Sequence, residues 1–170
     1  MSLFKSNQEP LYDFPPLIKR ALIAFLLLQL SGVLFGVGTL FMRTELSMSG
    51  TSAHYRGDPP PLDDFEIQEH FEKPLSELLL TTHNHLLGFS FIFALLVPVF
   101  YFSSIITGKL KAFLMIEPFI SVLLTFLSIW GLRFISPAFV VLTMFFGVLT
   151  YASYFIMVGV VGFELAFKKK

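Results

Sequence analysis

Four long apolar runs restrict what this chain can fold into more than any other feature. They cover residues 21–42, 86–106, 112–132 and 138–163, and the spans that they predict extend over about 17–42, 84–106, 112–133 and 138–165. A helix needs about 20 residues to cross the hydrocarbon core of a bilayer, so each run is long enough to span a membrane. The sequence therefore predicts an all-α protein: a single integral membrane domain over residues 1–170, built as a four-helix transmembrane bundle with one acidic extracytoplasmic loop at residues 43–83.

The composition supports a membrane protein and excludes several other classes. Of 170 residues, 55% are hydrophobic and only 14% are charged, which is too apolar for a soluble domain. The net charge is zero, and no basic patch is combined with exposed aromatic residues, so a nucleic-acid partner is not expected. Because the chain has no cysteine, a bound metal or haem must be held by His, Met or carboxylate side chains.

Lysines and arginines are divided unequally between the two sides that four crossings create. Eight lie in the terminal segments and between the second and third runs: Lys5, Lys19, Arg20, Lys109, Lys111, Lys168, Lys169 and Lys170. Four lie on the other side: Arg43, Arg56, Lys73 and Arg133. Because cytoplasmic loops carry the excess of basic residues, both termini are predicted to be cytoplasmic.

The loop at residues 43–83 is the only sizeable hydrophilic segment. Eight acidic residues belong to it: Glu45, Asp58, Asp63, Asp64, Glu66, Glu69, Glu72 and Glu77. Three prolines at residues 59–61 form a stiff spacer. This spacer separates a Ser/Thr/Gly-rich half, residues 44–58, from residues 63–80, which have the pattern of an amphipathic helix. Alternatively, a helix begins at Pro74.

All four histidines, His54, His70, His83 and His85, are assigned to the outer side, and an ionisable residue at the membrane edge is a functional hypothesis. His83 and His85 directly precede the second run. Two residues on a helix are separated by about 200°, so these two cannot bind one ion from the same face, and one is expected to face the bundle or a partner. Either could bind a b-type haem, with His54 or His70 as a second ligand. The alternative is that both are polar anchors at the interface.

A metal site is a second interpretation of the outer residues. Met48 and His54 are soft or borderline ligands that suit copper, and histidines with loop carboxylates suit zinc. A single methionine near a membrane is also common apolar filler.

Two carboxylates lie towards the cytoplasmic ends of the last two runs. Glu117 and Glu164 are interpreted as partners of Lys109, Lys111 or Lys168 rather than as a proton relay, because no ionisable residue continues the line through the membrane. The chain has no nucleophile elbow, phosphate-binding glycine loop or H-E-x-x-H string, which makes an enzyme the less favoured class.

Thr82-His83-Asn84-His85, at the head of the second span, resembles a T-H-x-H motif of small, uncharacterised four-span bacterial membrane proteins. The resemblance covers these four residues and the four-span layout. It implies a bacterial inner membrane with the outer loop in the periplasm, and it singles out His83 and His85 without adding a reaction.

Three functional hypotheses follow. The first is a small non-catalytic subunit of an inner-membrane respiratory or other redox complex, whose outer histidines bind a b-type haem or contact a partner's cofactor. The second is a zinc- or copper-binding membrane protein in periplasmic metal delivery, and the third is a structural anchor without a cofactor. The expected partners are the lipid bilayer and other membrane or periplasmic subunits, or a second copy of the chain.

Overall fold

The computed structural model describes residues 9–58 and 70–168, which are helical and contain no strand. A short 3-10 helix, Leu11–Asp13, precedes five α-helices: α1 Pro16–Thr44, α2 Met48–Arg56, α3 Leu75–Tyr101, α4 Gly108–Phe134 and α5 Phe139–Phe167. The four helices other than α2 are long and apolar enough to cross a membrane. The prediction of an all-α transmembrane bundle is thereby confirmed.

Helix α2 was not expected, because its sequence is rich in Ser, Thr and Gly. The chain reverses after α1 through Glu45 and Leu46, whose φ angles of 52° and 51° are left-handed. Ser47 then caps α2, its Oγ accepting a hydrogen bond from the Gly50 N–H at 2.9 Å. A Cβ on Gly50 would lie 2.2 Å from the Thr44 carbonyl oxygen, so only glycine allows α2 to fold this closely against the end of α1.

Helix α3 begins at Leu75, immediately after Pro74. Residues 70–74 are not helical, so a continuous amphipathic helix over residues 63–80 is not formed, and residues 63–69 lie outside the described part. The alternative start at Pro74 is the observed one. His83 and His85 therefore lie inside α3 rather than at its head. At the other end, α3 stops at Tyr101, and residues 102–107 form the turn to α4.

The core lies where α3 and α5 pack against α4, the most buried of the four spans. Its fully buried side chains include Phe93, Leu96, Leu132, Tyr154 and Met157. By contrast, many large apolar side chains are exposed on the outward faces, among them Phe35, Phe91 and Phe145. A continuous apolar lateral surface of this kind is suited to lipid rather than water.

Helix α1 is peripheral. Only Leu26, Val33 and Thr44 are buried along its length, and it packs mainly on α2 and α5. At Gly32 and Gly36, an added Cβ would meet no heavy atom of another residue within 4 Å. These glycines therefore leave open space around α1.

We call residues 43–58, 70–85 and 133–138 the histidine end of the bundle, and residues 9–16, 101–111 and 164–168 the opposite end. The first and last described residues share the opposite end. The Leu11 N–H donates to the Phe102 carbonyl at 3.2 Å, and Lys168 Nζ donates to Ser104 Oγ at 2.7 Å. Four crossings thus bring both ends of the described chain to one side, as the predicted topology requires. That this side faces the cytoplasm stays a prediction.

Candidate functional site at the histidine end

His85 combines an exposed ring with a fixed orientation. Its Nδ1 lies 2.8 Å from the Thr81 carbonyl oxygen, one helical turn earlier. Since a carbonyl only accepts, Nδ1 carries the proton and Nε2 of the neutral ring is left as an acceptor. Within the described residues Nε2 has no hydrogen bond. The ring lies against Phe126 of α4, with centroids 5.5 Å apart, and near Phe89.

His83 has different surroundings. It is exposed on α3, about 200° around the helix from His85, and forms no hydrogen bond with another described residue. Neither histidine is buried, although the His85 ring contacts Phe126 of α4. That one of them faces the bundle or a partner stays a prediction. The two are distinct, because the His85 ring has a ring contact with α4 and a hydrogen bond to Thr81, and the structure shows neither for His83 among the described residues.

Thr82 in the T-H-x-H string has a structural partner that the sequence did not indicate. Its Oγ1 accepts a hydrogen bond from Trp130 Nε1 at 3.0 Å. This bond joins the early part of α3 to the last turns of α4. It therefore holds the segment carrying both histidines in a fixed position on the bundle.

His54 lies on α2, half-buried, with Nε2 3.4 Å from Lys73 Nζ. An ammonium group has no lone pair, so His54 accepts and its ring is neutral. Burial, followed by the charges of Lys73 and Arg43, lowers the pKa of His54 from 6.5 to about 4. Met48 opens the same helix six positions earlier, about 240° around it. The two potential metal ligands thus point in different directions.

Lys73 lies at the centre of the histidine end and is only 6% exposed. Its Nζ is 5.4 Å from the centroid of the Tyr55 ring, and its backbone N–H donates to the Tyr55 carbonyl at 3.2 Å. Its own carbonyl accepts from Arg133 Nε at 3.2 Å. Burial lowers the pKa of Lys73 and raises that of Tyr55. Lys73 thus connects α2 to α4.

Two more contacts complete this connection. Arg133 forms an ion pair with Glu72 at 2.9 Å, and Arg56 donates to the Leu132 carbonyl at 3.2 Å. Sequence reasoning used these basic residues only to assign topology. In the structure, the ion pair and hydrogen bonds of these residues also hold together the segments of the histidine end.

His70 is paired with Asp58. Its Nδ1 lies 3.1 Å from Asp58 Oδ2, and the same oxygen accepts the His70 backbone N–H at 2.8 Å. The Asp58 N–H in turn donates to the His70 carbonyl at 3.0 Å. These bonds bring the two residues flanking 59–69 together. The four histidines consequently have four different environments.

Glu164, at the opposite end, is fully buried and held by serines. Its carboxylate accepts from Ser103 Oγ at 2.6 Å, from the Ser104 N–H at 2.9 Å and from Ser104 Oγ at 2.7 Å. Lys111 Nζ instead donates to the carbonyls of Tyr101 and Ser103, at 2.5 and 2.6 Å. Glu164 therefore forms no direct ion pair with a described lysine, and Ser104 joins it to Lys168 instead.

Glu117 also has a serine partner rather than a lysine. Its Oε2 accepts a hydrogen bond from Ser153 Oγ on α5. Its other oxygen, Oε1, is buried and has no hydrogen-bond partner among the described residues. The sequence interpretation missed the bond to Ser153 because the two residues lie on different helices.

Four long apolar helices with a continuous apolar lateral surface define a multi-pass helical membrane protein. The chain belongs to the Aq_1264_TM family, a transmembrane helical domain whose family model matches residues 45–170. The match begins at the end of α1 and includes α2 to α5, so the peripheral helix lies outside it. No curated protein and no solved structure gives a significant match.

Proposed function

We propose that this chain is a small non-catalytic subunit of an inner-membrane redox assembly, in which His85 supplies one axial ligand to a b-type haem. The observation that carries this proposal is the 2.8 Å contact between His85 Nδ1 and the Thr81 carbonyl on an exposed ring. This contact leaves the Nε2 lone pair directed away from the hydrogen bond and available to bind a metal ion from outside the chain.

Two physical features support His85 as a haem ligand. Histidines that bind a metal commonly donate their other ring N–H to a backbone carbonyl, which fixes the tautomer and orients the ring. The neighbouring half-buried Phe89 ring provides aromatic surface for an apolar macrocycle, and the buried Phe126 ring packs against the imidazole. His85 therefore has the chemistry and the surroundings that such a ligand needs.

The second axial ligand is proposed to come from another chain. His54 faces Lys73, His70 faces Asp58, and His83 lies on the other side of α3. A partner subunit or a second copy of the chain would then supply the other imidazole. The proposed orientation is the one given by the basic residues, with the histidine end in the periplasm of a bacterium.

The test is the absorbance spectrum of the protein purified from membranes in mild detergent together with its partners. A reduced-minus-oxidised spectrum should show a b-type haem in the wild type, which His85→Ala should lose. His83→Ala is the matched control, because it removes an exposed imidazole two residues away, and it should retain the haem.

Absence of haem from the wild-type assembly, or equal retention by both variants, would overturn the proposal. Bound zinc or copper without haem would favour the metal-delivery alternative, and His54→Ala and Met48→Ala would then identify its ligands. An assembly with neither haem nor metal would favour the structural anchor.

A further inference from the structure

Two lysines converge on Tyr12 at the opposite end of the bundle. Lys19 Nζ, in the first turn of α1, donates to the Tyr12 carbonyl at 2.5 Å, and Lys168 Nζ lies 5.0 Å from the centroid of the Tyr12 ring. Lys168 Nζ also donates to Ser104 Oγ, and both lysines are half-buried rather than enclosed. Neither ammonium group forms an ion pair with a described carboxylate. Because an ammonium group has three N–H donors, each lysine can still donate to an anion.

The charges around these lysines also favour an anion. Basic residues outnumber acidic ones in the described chain at this end: Lys19, Arg20, Lys109, Lys111 and Lys168 against Glu9, Asp13 and Glu164. The Glu164 carboxylate is buried and accepts hydrogen bonds from serines, so it does not neutralise a lysine by direct contact. An excess of basic residues at a membrane surface attracts anionic lipids.

An apolar groove on the lateral surface has Lys168 as its one charged lining residue. The groove has a volume of about 630 Å³ and is lined by Ile105, Gly159, Val160, Phe163, Phe167 and Lys168. Ile105, Phe163 and Phe167 are exposed, so the groove is open to the surroundings of the bundle. From Lys168 to Gly159 it extends about 13 Å along α5.

The position of Lys168 in the bilayer determines which part of a lipid it can contact. Helix α5 has 29 residues and is therefore longer than the hydrocarbon core is thick. Lys168 follows its last residue, so its ammonium group lies at the level of the headgroups while Gly159 lies at the level of the acyl chains. The groove and the lysine thus match the two parts of a phospholipid.

From the two lysines and the groove, we infer that this end binds an anionic phospholipid, with its phosphate at Lys168 and Lys19 and an acyl chain along the groove towards Gly159. Ammonium groups donate strong, charge-assisted hydrogen bonds to phosphate oxygens. Basic pockets beside membrane helices are a common form of lipid headgroup site. This inference does not depend on a haem at His85, because the site lies at the other end of the bundle and is measured separately.

The test is binding of dioleoyl phosphatidylglycerol to the full-length chain in mild detergent, measured by native mass spectrometry. Dioleoyl phosphatidylcholine is the matched lipid, because it has the same chains and a phosphate but no net charge. The anionic lipid should bind the wild type about fivefold more tightly.

Lys168→Gln and Lys19→Gln test the headgroup contacts. Each variant keeps an N–H donor for the present partner of the lysine but removes its charge, so each should weaken phosphatidylglycerol binding about fivefold. Lys109→Gln is the control, because it removes the same charge from an exposed position at the same end that does not line the groove. It should leave binding unchanged.

Gly159→Leu tests the groove. A Cβ at Gly159 meets no heavy atom within 4 Å, and leucine is a better helix former than glycine, so the variant should be as stable as the wild type. Its side chain should displace part of the acyl chain and weaken binding of both lipids about tenfold. Equal affinity of the wild type for the two lipids, an equal loss in the Lys109→Gln and Lys168→Gln proteins, or undiminished binding to a folded Gly159→Leu protein would overturn the inference.

Discussion

Nε2 of His54 lies 3.4 Å from the buried ammonium group of Lys73. An imidazole in this position is a hydrogen-bond acceptor for a cation. Burial, together with this contact, lowers the pKa of His54 and keeps the ring neutral well below the pH at which a solvated histidine is protonated.

Lowering the pH should therefore destabilise the histidine end. The pKa of His54 is about 4 in the folded chain and 6.5 when it is unperturbed. Between these values the unfolded chain binds a proton that the folded chain does not, so the free energy of unfolding should decrease as the pH falls from about 6.5 towards 4. Thermal unfolding of the detergent-solubilised protein across this range measures the effect.

His54→Gln is the matched control for this pH dependence. Its amide oxygen can still accept from Lys73, but it does not titrate, so the variant should lose less stability than the wild type over the same pH range. The neighbouring charged groups Arg43, His70 and Glu77 are unchanged in both proteins. Identical pH profiles for the two proteins would contradict the prediction.

Gly50→Ala should disrupt the reversal between α1 and α2. The new Cβ would approach the Thr44 carbonyl oxygen to 2.2 Å, and a backbone atom cannot move aside as a flexible side chain can. We expect a loss of about 1 to 3 kcal/mol in the free energy of unfolding, as for other overpacked sites, measured by circular dichroism during denaturation.

Gly36→Ala provides the comparison, since a Cβ there meets nothing within 4 Å and alanine is the better helix former. It should leave stability unchanged or slightly raised. A Gly50 variant as stable as the Gly36 variant would show that the reversal tolerates a side chain.

Ser104→Ala should destabilise the opposite end. The serine hydroxyl donates to the buried Glu164 carboxylate and accepts from Lys168 Nζ, so its removal leaves both charged groups with one bond fewer. We expect a cost of about 1 to 3 kcal/mol, measured by the same denaturation experiment. Ser90→Ala, at an exposed position of α3 without a side-chain hydrogen bond in the described chain, should have almost no effect.

The proposed orientation can be tested directly because the chain contains no cysteine. A single cysteine at Ser49, exposed at the histidine end, should react with a membrane-impermeant maleimide added to intact cells. A single cysteine at Lys109, exposed at the opposite end, should react only after the cells are opened. The reverse pattern would show that the distribution of basic residues does not set the topology of this chain.

The sequence by itself determined the four spans and the all-α class, because the thickness of a bilayer translates directly into a length of apolar helix. Four spans also predicted that the two ends of the described part of the chain share one side, as they do. The sequence did not indicate that α3 would stop at Tyr101. Ser103 and Ser104 follow that stop, and both bond Glu164 from about 60 residues away in the chain.

Tertiary packing alone decided which polar groups meet. His54 and Lys73 are separated by 19 residues, and Glu117 and Ser153 by 36, so no local pattern pairs them. Helix α2 likewise forms because Ser47 caps it and because Gly50 permits close approach to Thr44, although its own residues favour helix weakly. Apolar length is a property of each segment alone, whereas a hydrogen bond between helices depends on how both are placed and rotated, which the packing of the whole bundle sets.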